Sequence, residues 1–151
     1  MTQEEKELLL KDLCARLPYG VIVSVTDGTI KYDAYIESVS YKNIQVSPIS
    51  DSNFTAYTFY KISEIKPYLR PMSSMTEEEI HKFQEILGSD IEVGYGFVNI
   101  LYSSVHTFSF IELQVLFDWL NAHHFDYRGL IEKGLAIEVN ESNNPYGKDN
   151  N

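Results

Sequence analysis

The chain has almost no cysteine and no long apolar run. Cys14 is the only cysteine among 151 residues, so no internal disulfide can form and a disulfide scaffold is excluded. The apolar runs fall well short of the roughly 20 residues that cross a membrane, and the opening MTQEEKELLL lacks the basic segment of a secretory leader. These absences predict an intracellular, cytoplasmic protein without membrane contact. Cys14 follows a leucine-rich run on a predicted helix, which favours a buried structural thiol over a reactive one.

Positive charge is scarce as well. Lysine and arginine total 12 against 22 acidic residues, which gives a net charge of −10. Most of the deficit lies in residues 72–151, which hold 13 acids and four bases. Because phosphate backbones attract clustered lysine and arginine, direct nucleic-acid binding is disfavoured. The acidic surplus is interpreted as a solvated surface, with a basic partner as the alternative.

The composition is that of a folded protein of one domain's size. Apolar residues make up 44% and aromatic residues 13%, far from disordered composition. We expect a helix with a small β-barrel in residues 1–71 and a helical α+β part packed on it in residues 72–139. Residues 140–151, with the tail NESNNPYGKDNN, have almost nothing to bury and are predicted to be disordered.

The first half of the chain predicts one helix followed by a sheet. Thr2 and Glu5 have the spacing of a capping box, and leucines follow at helical intervals until Pro18. The apolar period then changes to two, and an Asp-Gly turn joins the first two strands. The predicted strands lie at 21–25, 30–36, 44–46 and 55–60. The two prolines of ISEIKPYLRP favour a short helical turn with an extended exit over a regular element.

The stretch GVIVSVTDGTIKYDAYIESVSYKNIQV, with a helix before it, resembles the opening of a small SH3-like or Sm-like barrel. The resemblance covers about 30 residues and implies a fold, a small antiparallel barrel or curled sheet, but no activity. The glycine turn between the last two strands of Sm proteins has no counterpart in TFYKISEIKPY. RNA binding is therefore not implied.

The second half predicts two further helices. Thr76 with Glu79, and Ser109 with Glu112, repeat the capping-box spacing and place helices at 77–87 and about 110–122. The β-branched and aromatic residues between them predict one or two strands within 90–107. The predicted fold class is α+β, with an N-terminal helix, a small antiparallel barrel or curled sheet and a C-terminal helical layer.

The stretch WLNAHHFDYRGLIEKGLAIE holds the densest group of reactive side chains. In a catalytic interpretation, His123 or His124 is a base, Asp126 orients it and Arg128 clamps an anion. Adjacent residues at a helix end diverge by roughly 100°, so the two histidines do not readily face one substrate.

A structural interpretation of the same stretch is favoured. In it, Asp126 caps a short helix that runs to Lys133 and stops at Gly134, the two histidines cover the last carbonyls of the third helix, and Trp119 lies in or beside the core. The chain also lacks an HExxH motif, paired cysteines and a GxGxxG loop. We therefore predict no enzyme, no metal and no cofactor.

Two binding functions follow from these residues. The leading prediction is a non-catalytic acidic interaction or adaptor module that binds a protein. The alternative is a small nucleotide-like ligand stacked on barrel tyrosines and anchored by Arg70 or Arg128. The candidate binding residues are His123, His124, Tyr127, Arg128, Tyr57 and Tyr60.

Three segments are similar to parts of uncharacterised small proteins of phages and mobile elements in gut bacteria. They are DLCARLPYGV, PYLRPMSSMTEEE and WLNAHHFDYRGLIEKGLAIE, and they cover 43 of the 151 residues. The resemblance implies a mobile-element or phage setting and no particular chemistry.

Overall fold

The computed structural model describes residues 1–28, 30–49, 58–88, 91–96, 98–100 and 109–147, with residues 99 and 100 described by their backbone alone. The chain forms two compact units. Unit 1 consists of Met1–Leu69 and Leu130–Asn151, and unit 2 consists of Arg70–Gly129. The expected division placed 72–139 in one part, but residues 130–139 belong to unit 1 because Ile137 and Glu138 pair with Tyr68 and Leu69.

Unit 1 begins with the predicted capped helix, α1 (Gln3–Arg16). The Thr2 hydroxyl accepts a hydrogen bond from Glu5 N at 3.1 Å, and the Glu5 carboxylate accepts one from Thr2 N at 2.7 Å. This reciprocal pair satisfies two of the backbone donors that a helix start leaves open. The expectation that Cys14 is buried is wrong, because Cys14 lies on the exposed side of α1.

The sheet of unit 1 has six strands and stays open. They are β1 (Ile22–Asp27), β2 (Ile30–Val39), β3 (Ile44–Pro48), β4 (Thr58–Tyr60), β5 (Ile65–Leu69) and β8 (Ile137–Glu138). Their order is β4-β3-β2-β1-β5-β8, and only β5 and β8 run parallel. Within the described residues the edge strands β4 and β8 do not pair, so the curled sheet of the prediction is confirmed rather than a closed barrel.

Strand β5 differs from the irregular exit that its prolines predicted. It pairs with β1 over three residues, with Val23 opposite Pro67. The carbonyl of Leu69 accepts a hydrogen bond from Val139 N on the β8 side. The backbone nitrogen and carbonyl of Pro67 point to that same side, because the backbone groups of residues two apart in a strand point the same way. Its missing N–H is thus directed away from β1, and the β1 pairing is kept.

The core of unit 1 lies between α1 and the sheet. Leu9 and Leu13 of α1 are fully buried and join the inward residues of the strands, among them Val23, Val25 and Ile44. Alternate apolar residues of the strands thus supply one side of this core and one stripe of the helix supplies the other.

The last described residues of unit 1 differ from the predicted disordered tail. Residues 140–147 form turns that end in a short 3-10 helix, Pro145–Gly147. The Tyr146 hydroxyl donates a hydrogen bond to Tyr68 O at 2.8 Å and accepts one from Ile22 N at 3.3 Å. A partly buried aromatic ring with a hydrogen-bonded hydroxyl therefore holds a segment that composition alone marked as polar.

Unit 2 contains two helices and a strand pair. They are α2 (Glu77–Leu87), β6 (Ile91–Val93), β7 (Val98–Ile100) and α3 (Phe110–Ala122). Both predicted helices are confirmed, each with its capping box, and β6 pairs antiparallel with β7. Phe83 and Leu87 of α2 pack with Leu116 and Leu120 of α3 in the core of this unit.

The short helix predicted from Asp126 to Lys133 is wrong. Residues 127–134 form turns, and Asp126 N donates its hydrogen bond to Arg70 O at 2.7 Å. Gly129 has a φ of 71° in the middle of the predicted helix, a left-handed conformation that interrupts helical hydrogen bonding. Gly134 does adopt the expected left-handed conformation, with a φ of 68°.

Candidate interaction surface

His123 is held at the end of α3 as the structural interpretation expected. Its Nδ1 lies 2.8 Å from Trp119 O, and because a carbonyl oxygen only accepts, Nδ1 carries the proton. The imidazole also stacks on the Trp119 ring, with 4.2 Å between ring centroids. His123 therefore closes the last turn of the helix.

His124 turns the chain away from α3. It has a φ of 58°, and its carbonyl accepts a hydrogen bond from Arg70 N at 2.8 Å. A positive φ is uncommon outside glycine, so the backbone contact with Arg70 fixes a conformation that histidine rarely adopts. His124 thus acts through its backbone, which the catalytic interpretation did not require.

Tyr127 and Arg128 lie beside the exposed side of α3. The Tyr127 hydroxyl donates to Asn121 Oδ1 at 3.0 Å, and its ring lies 5.2 Å from that of Phe117. The Arg128 guanidinium lies over the Tyr127 ring at 4.9 Å. Asp126 is 4% exposed, which keeps its carboxylate away from a substrate in solvent.

The predicted barrel tyrosines belong to a different unit from His123, His124, Tyr127 and Arg128. Tyr60 belongs to unit 1, where it is buried and accepts a hydrogen bond from the Tyr32 hydroxyl at 2.9 Å. Burial and this hydrogen bond raise the pKa of Tyr32 above its usual value. Tyr57 lies outside the described residues. Tyr60 therefore packs in the core and presents no open stacking face.

Arg70, the other proposed anchor, is held within unit 2. Its guanidinium donates to both carboxylate oxygens of Glu79, at 2.7 and 2.8 Å, and to Ser74 O at 3.0 Å. It also lies over the Phe125 ring at 4.3 Å. Binding a ligand anion would break these contacts, so Arg70 stabilises the unit rather than offering an open anchor.

The feature that stands out in unit 2 is the outward side of α3. Four large apolar side chains are exposed there: Phe110 by 92%, Ile111 by 75%, Val115 by 49% and Phe117 by 44%. At 100° per residue they share one arc of the helix, opposite the buried Leu116. None of these four residues is singled out as exposed by the sequence. The signal that could have found them is that apolar residues occur on every side of α3, more than a single buried stripe requires.

The charge around this surface is acidic. Unit 2 has nine acidic residues against three basic ones, a net charge of −6. Asp118 lies within the exposed arc of α3, and the helix contains no lysine or arginine. The arrangement therefore combines an apolar patch with a negative border.

Neither a metal site nor a membrane-spanning helix is found in the described part of the chain. Its histidines, cysteine and carboxylates form no group of three or more that could hold a metal ion. None of its helices is long and apolar enough to cross a membrane.

Comparison with known proteins assigns no family. The sequence matches no family model and no curated protein, and the structure matches no solved structure.

Proposed function

We propose that the chain is a non-catalytic interaction module that binds a protein partner through the outward face of α3. The observation that carries the proposal is the exposure of Phe110, Ile111, Val115 and Phe117 on one side of a single helix. Exposed apolar groups grouped on one face mark interaction sites, because their burial against a partner releases ordered water. A helix that enters an apolar groove uses anchors four and seven residues apart, and Ile111 with Val115 and Phe110 with Phe117 have these separations.

The partner's groove has a basic rim. Unit 2 has a net charge of −6, and Asp118 lies among the apolar anchors, so lysine or arginine around the groove would complement the surface. A second copy of the chain is a poorer occupant, since each copy carries −10. The same charge disfavours nucleic acid and anionic lipid.

The contacts of the two candidate histidines support a non-catalytic module, because both residues have structural roles. His123 Nδ1 is bonded to Trp119 O, and His124 is bonded through its carbonyl to Arg70 N. We further propose that the module acts in the cytoplasm and is encoded by a phage or mobile element, as the resemblance of its segments implies.

The proposal is tested by placing a photoreactive phenylalanine at position 111 or, as a matched control, at position 30. Both positions hold exposed isoleucines, 75% and 61% exposed, on different units. Irradiation in cells that naturally contain the protein is expected to link position 111, and not position 30, to one other protein. That protein, once purified, should bind the wild-type chain directly.

Two results would count against the proposal. Identical cross-links from positions 111 and 30, or none from position 111, would mean that α3 is not a specific interface. Cross-linking of position 111 only to a second copy of the chain would replace the heterologous partner with a homodimer.

A further inference from the structure

A second feature lies in unit 1, in a cleft that shares no residue with the face of α3. The cleft is bordered by the first turns of α1, the turn between β2 and β3, and the 3-10 helix Ile62–Glu64. Its volume is about 350 Å³, and its apolar lining comes from Leu10, Ile44 and Ile62. This size lies within the roughly 300–1,000 Å³ of small-molecule sites.

Three lysines from three separate elements line this cleft: Lys6, Lys42 and Lys61. None of them forms an ion pair with a residue that the structure describes. The lining contains one acid, Glu7, which accepts a hydrogen bond from Gln3 at 3.0 Å. Three lysines and one carboxylate give the lining a net charge of +2.

This local charge contrasts with the chain as a whole. A chain with a net charge of −10 thus places three of its 12 basic residues around one cavity. Like charges at one site repel each other, and a bound anion removes that cost.

The same cleft presents an exposed aromatic ring. Tyr41 lies at its border and is 86% exposed. The turn that carries Tyr41 and Lys42 is closed by Ser40 and Asn43: Ser40 Oγ donates to Asn43 O at 2.8 Å, and Asn43 N donates to Ser40 Oγ at 3.1 Å. An aromatic ring on a fixed turn beside lysines offers a stacking surface next to an anion site.

We propose that this cleft binds a mononucleotide, with the phosphate at Lys6, Lys42 and Lys61 and the base stacked on Tyr41. A free phosphate would use the lysines and leave the ring and the apolar lining uncovered. A nucleic acid would extend beyond the cleft onto a chain whose net charge is −10. A mononucleotide matches the charge, the ring and the volume together.

The test is isothermal titration of the full chain with AMP, CMP, GMP and UMP, and with ribose 5-phosphate and adenosine as the two halves of a ligand. At least one mononucleotide is expected to bind saturably, and each half at least about tenfold more weakly, because each loses one kind of contact. Lys42→Gln and Tyr41→Ala should each weaken binding about tenfold. The matched control is Lys66→Gln, an exposed lysine of β5 outside the cleft, which should change binding less than about twofold.

Each other outcome overturns the proposal. No saturation by any of the four mononucleotides up to about 10 mM would remove the site. Equal affinity for ribose 5-phosphate would remove the stacking role of Tyr41, and equal affinity for adenosine would remove the lysines. Binding that Lys66→Gln weakens as much as Lys42→Gln does would show non-specific charge attraction. Because these side chains are exposed, unchanged thermal unfolding of the variants checks that the fold is intact.

Discussion

Asp12 and Arg16 form a two-bonded ion pair one turn apart on α1, and neither side chain has any exposed surface. Arg16 Nε donates to Asp12 Oδ2 at 2.7 Å, and a terminal nitrogen donates to Oδ1 at 3.0 Å. Buried charges of opposite sign must stay together, because removal of one leaves the other without compensation in a poorly polarisable interior.

The first prediction concerns this pair. Arg16→Met is expected to lower the free energy of unfolding by about 3–5 kcal/mol, because it leaves the Asp12 carboxylate buried without its cation. Asp12→Leu combined with Arg16→Met should cost less than Arg16→Met alone, since apolar side chains fill the same space. Urea unfolding of the single and double variants measures both values. A double variant that costs as much as Arg16→Met alone, or more, would show that the buried carboxylate does not depend on its cation.

The second prediction concerns Tyr146, which ties residues 140–147 to the sheet. Burial raises the pKa of Tyr146 above its usual value, so the hydroxyl keeps its proton and its bond to Tyr68 O. Tyr146→Phe leaves the Tyr68 carbonyl and Ile22 N without this partner and should cost about 1–3 kcal/mol. Tyr41→Phe, at an 86% exposed ring, is the control and should cost less than about 0.5 kcal/mol. Equal stability of the two variants in urea would mean that Tyr146 does not hold the segment.

The third prediction concerns pH. Burial alone would raise the pKa of Glu79, but hydrogen bonds from Arg70 and Thr76 N outweigh it, and the pKa lies below its ordinary 4.5. A depressed carboxylate pKa adds stability above the unfolded-state value, and this stability is lost as the pH falls through the folded-state value. Glu79→Gln should therefore be less stable than wild type at neutral pH and lose less stability below about pH 4.5.

Thermal unfolding between neutral and acidic pH measures this difference. Glu78→Gln is the matched control, an exposed neighbour on α2 with the same change of charge. A Glu78→Gln profile that flattens as much as the Glu79→Gln profile would indicate a general charge effect in place of the Arg70 pair.

The fourth prediction concerns Trp119, whose ring lies 4.2 Å from His123, 5.5 Å from Phe83 and 5.7 Å from Phe125 by centroids. Trp119→Ala should cost about 3 kcal/mol, since the ring is half-buried and fully buried aromatic residues cost more. Trp119→Phe keeps part of the stacking and should cost less than half as much. Unfolding in urea distinguishes them, and a loss below about 0.5 kcal/mol for Trp119→Ala would contradict a packing role.

The helices could be predicted because their signals are local. Thr2, Thr76 and Ser109 each stand three residues before a glutamate, and all three capping boxes form. The helix expected after Asp126 does not form, for an equally local reason. Gly129 takes a left-handed conformation, which the sequence around Asp126 did not reveal. The α+β class and the antiparallel order of the first strands followed from alternation and turn residues.

The rest depended on contacts between distant residues. The i,i+4 spacing of Asp12 and Arg16 is visible in the sequence, but their complete burial results from packing against the rest of unit 1. Pro67 suggested an irregular exit, but a regular strand forms because its pairing with β1 leaves the missing N–H on the other side of β5. Lys6, Lys42 and Lys61 are separated by up to 55 positions, so no motif could bring them to one cleft.

The central claim is that the outward face of α3 binds a protein. Its most direct test is the dissociation constant of the purified cross-linked partner for wild type, Ile111→Asp and Ile30→Asp. Placing a carboxylate at the centre of an apolar contact should weaken binding at least about a hundredfold for Ile111→Asp, while Ile30→Asp should stay within about twofold of wild type. Equal affinities for all three proteins, with all three folded, would contradict the account.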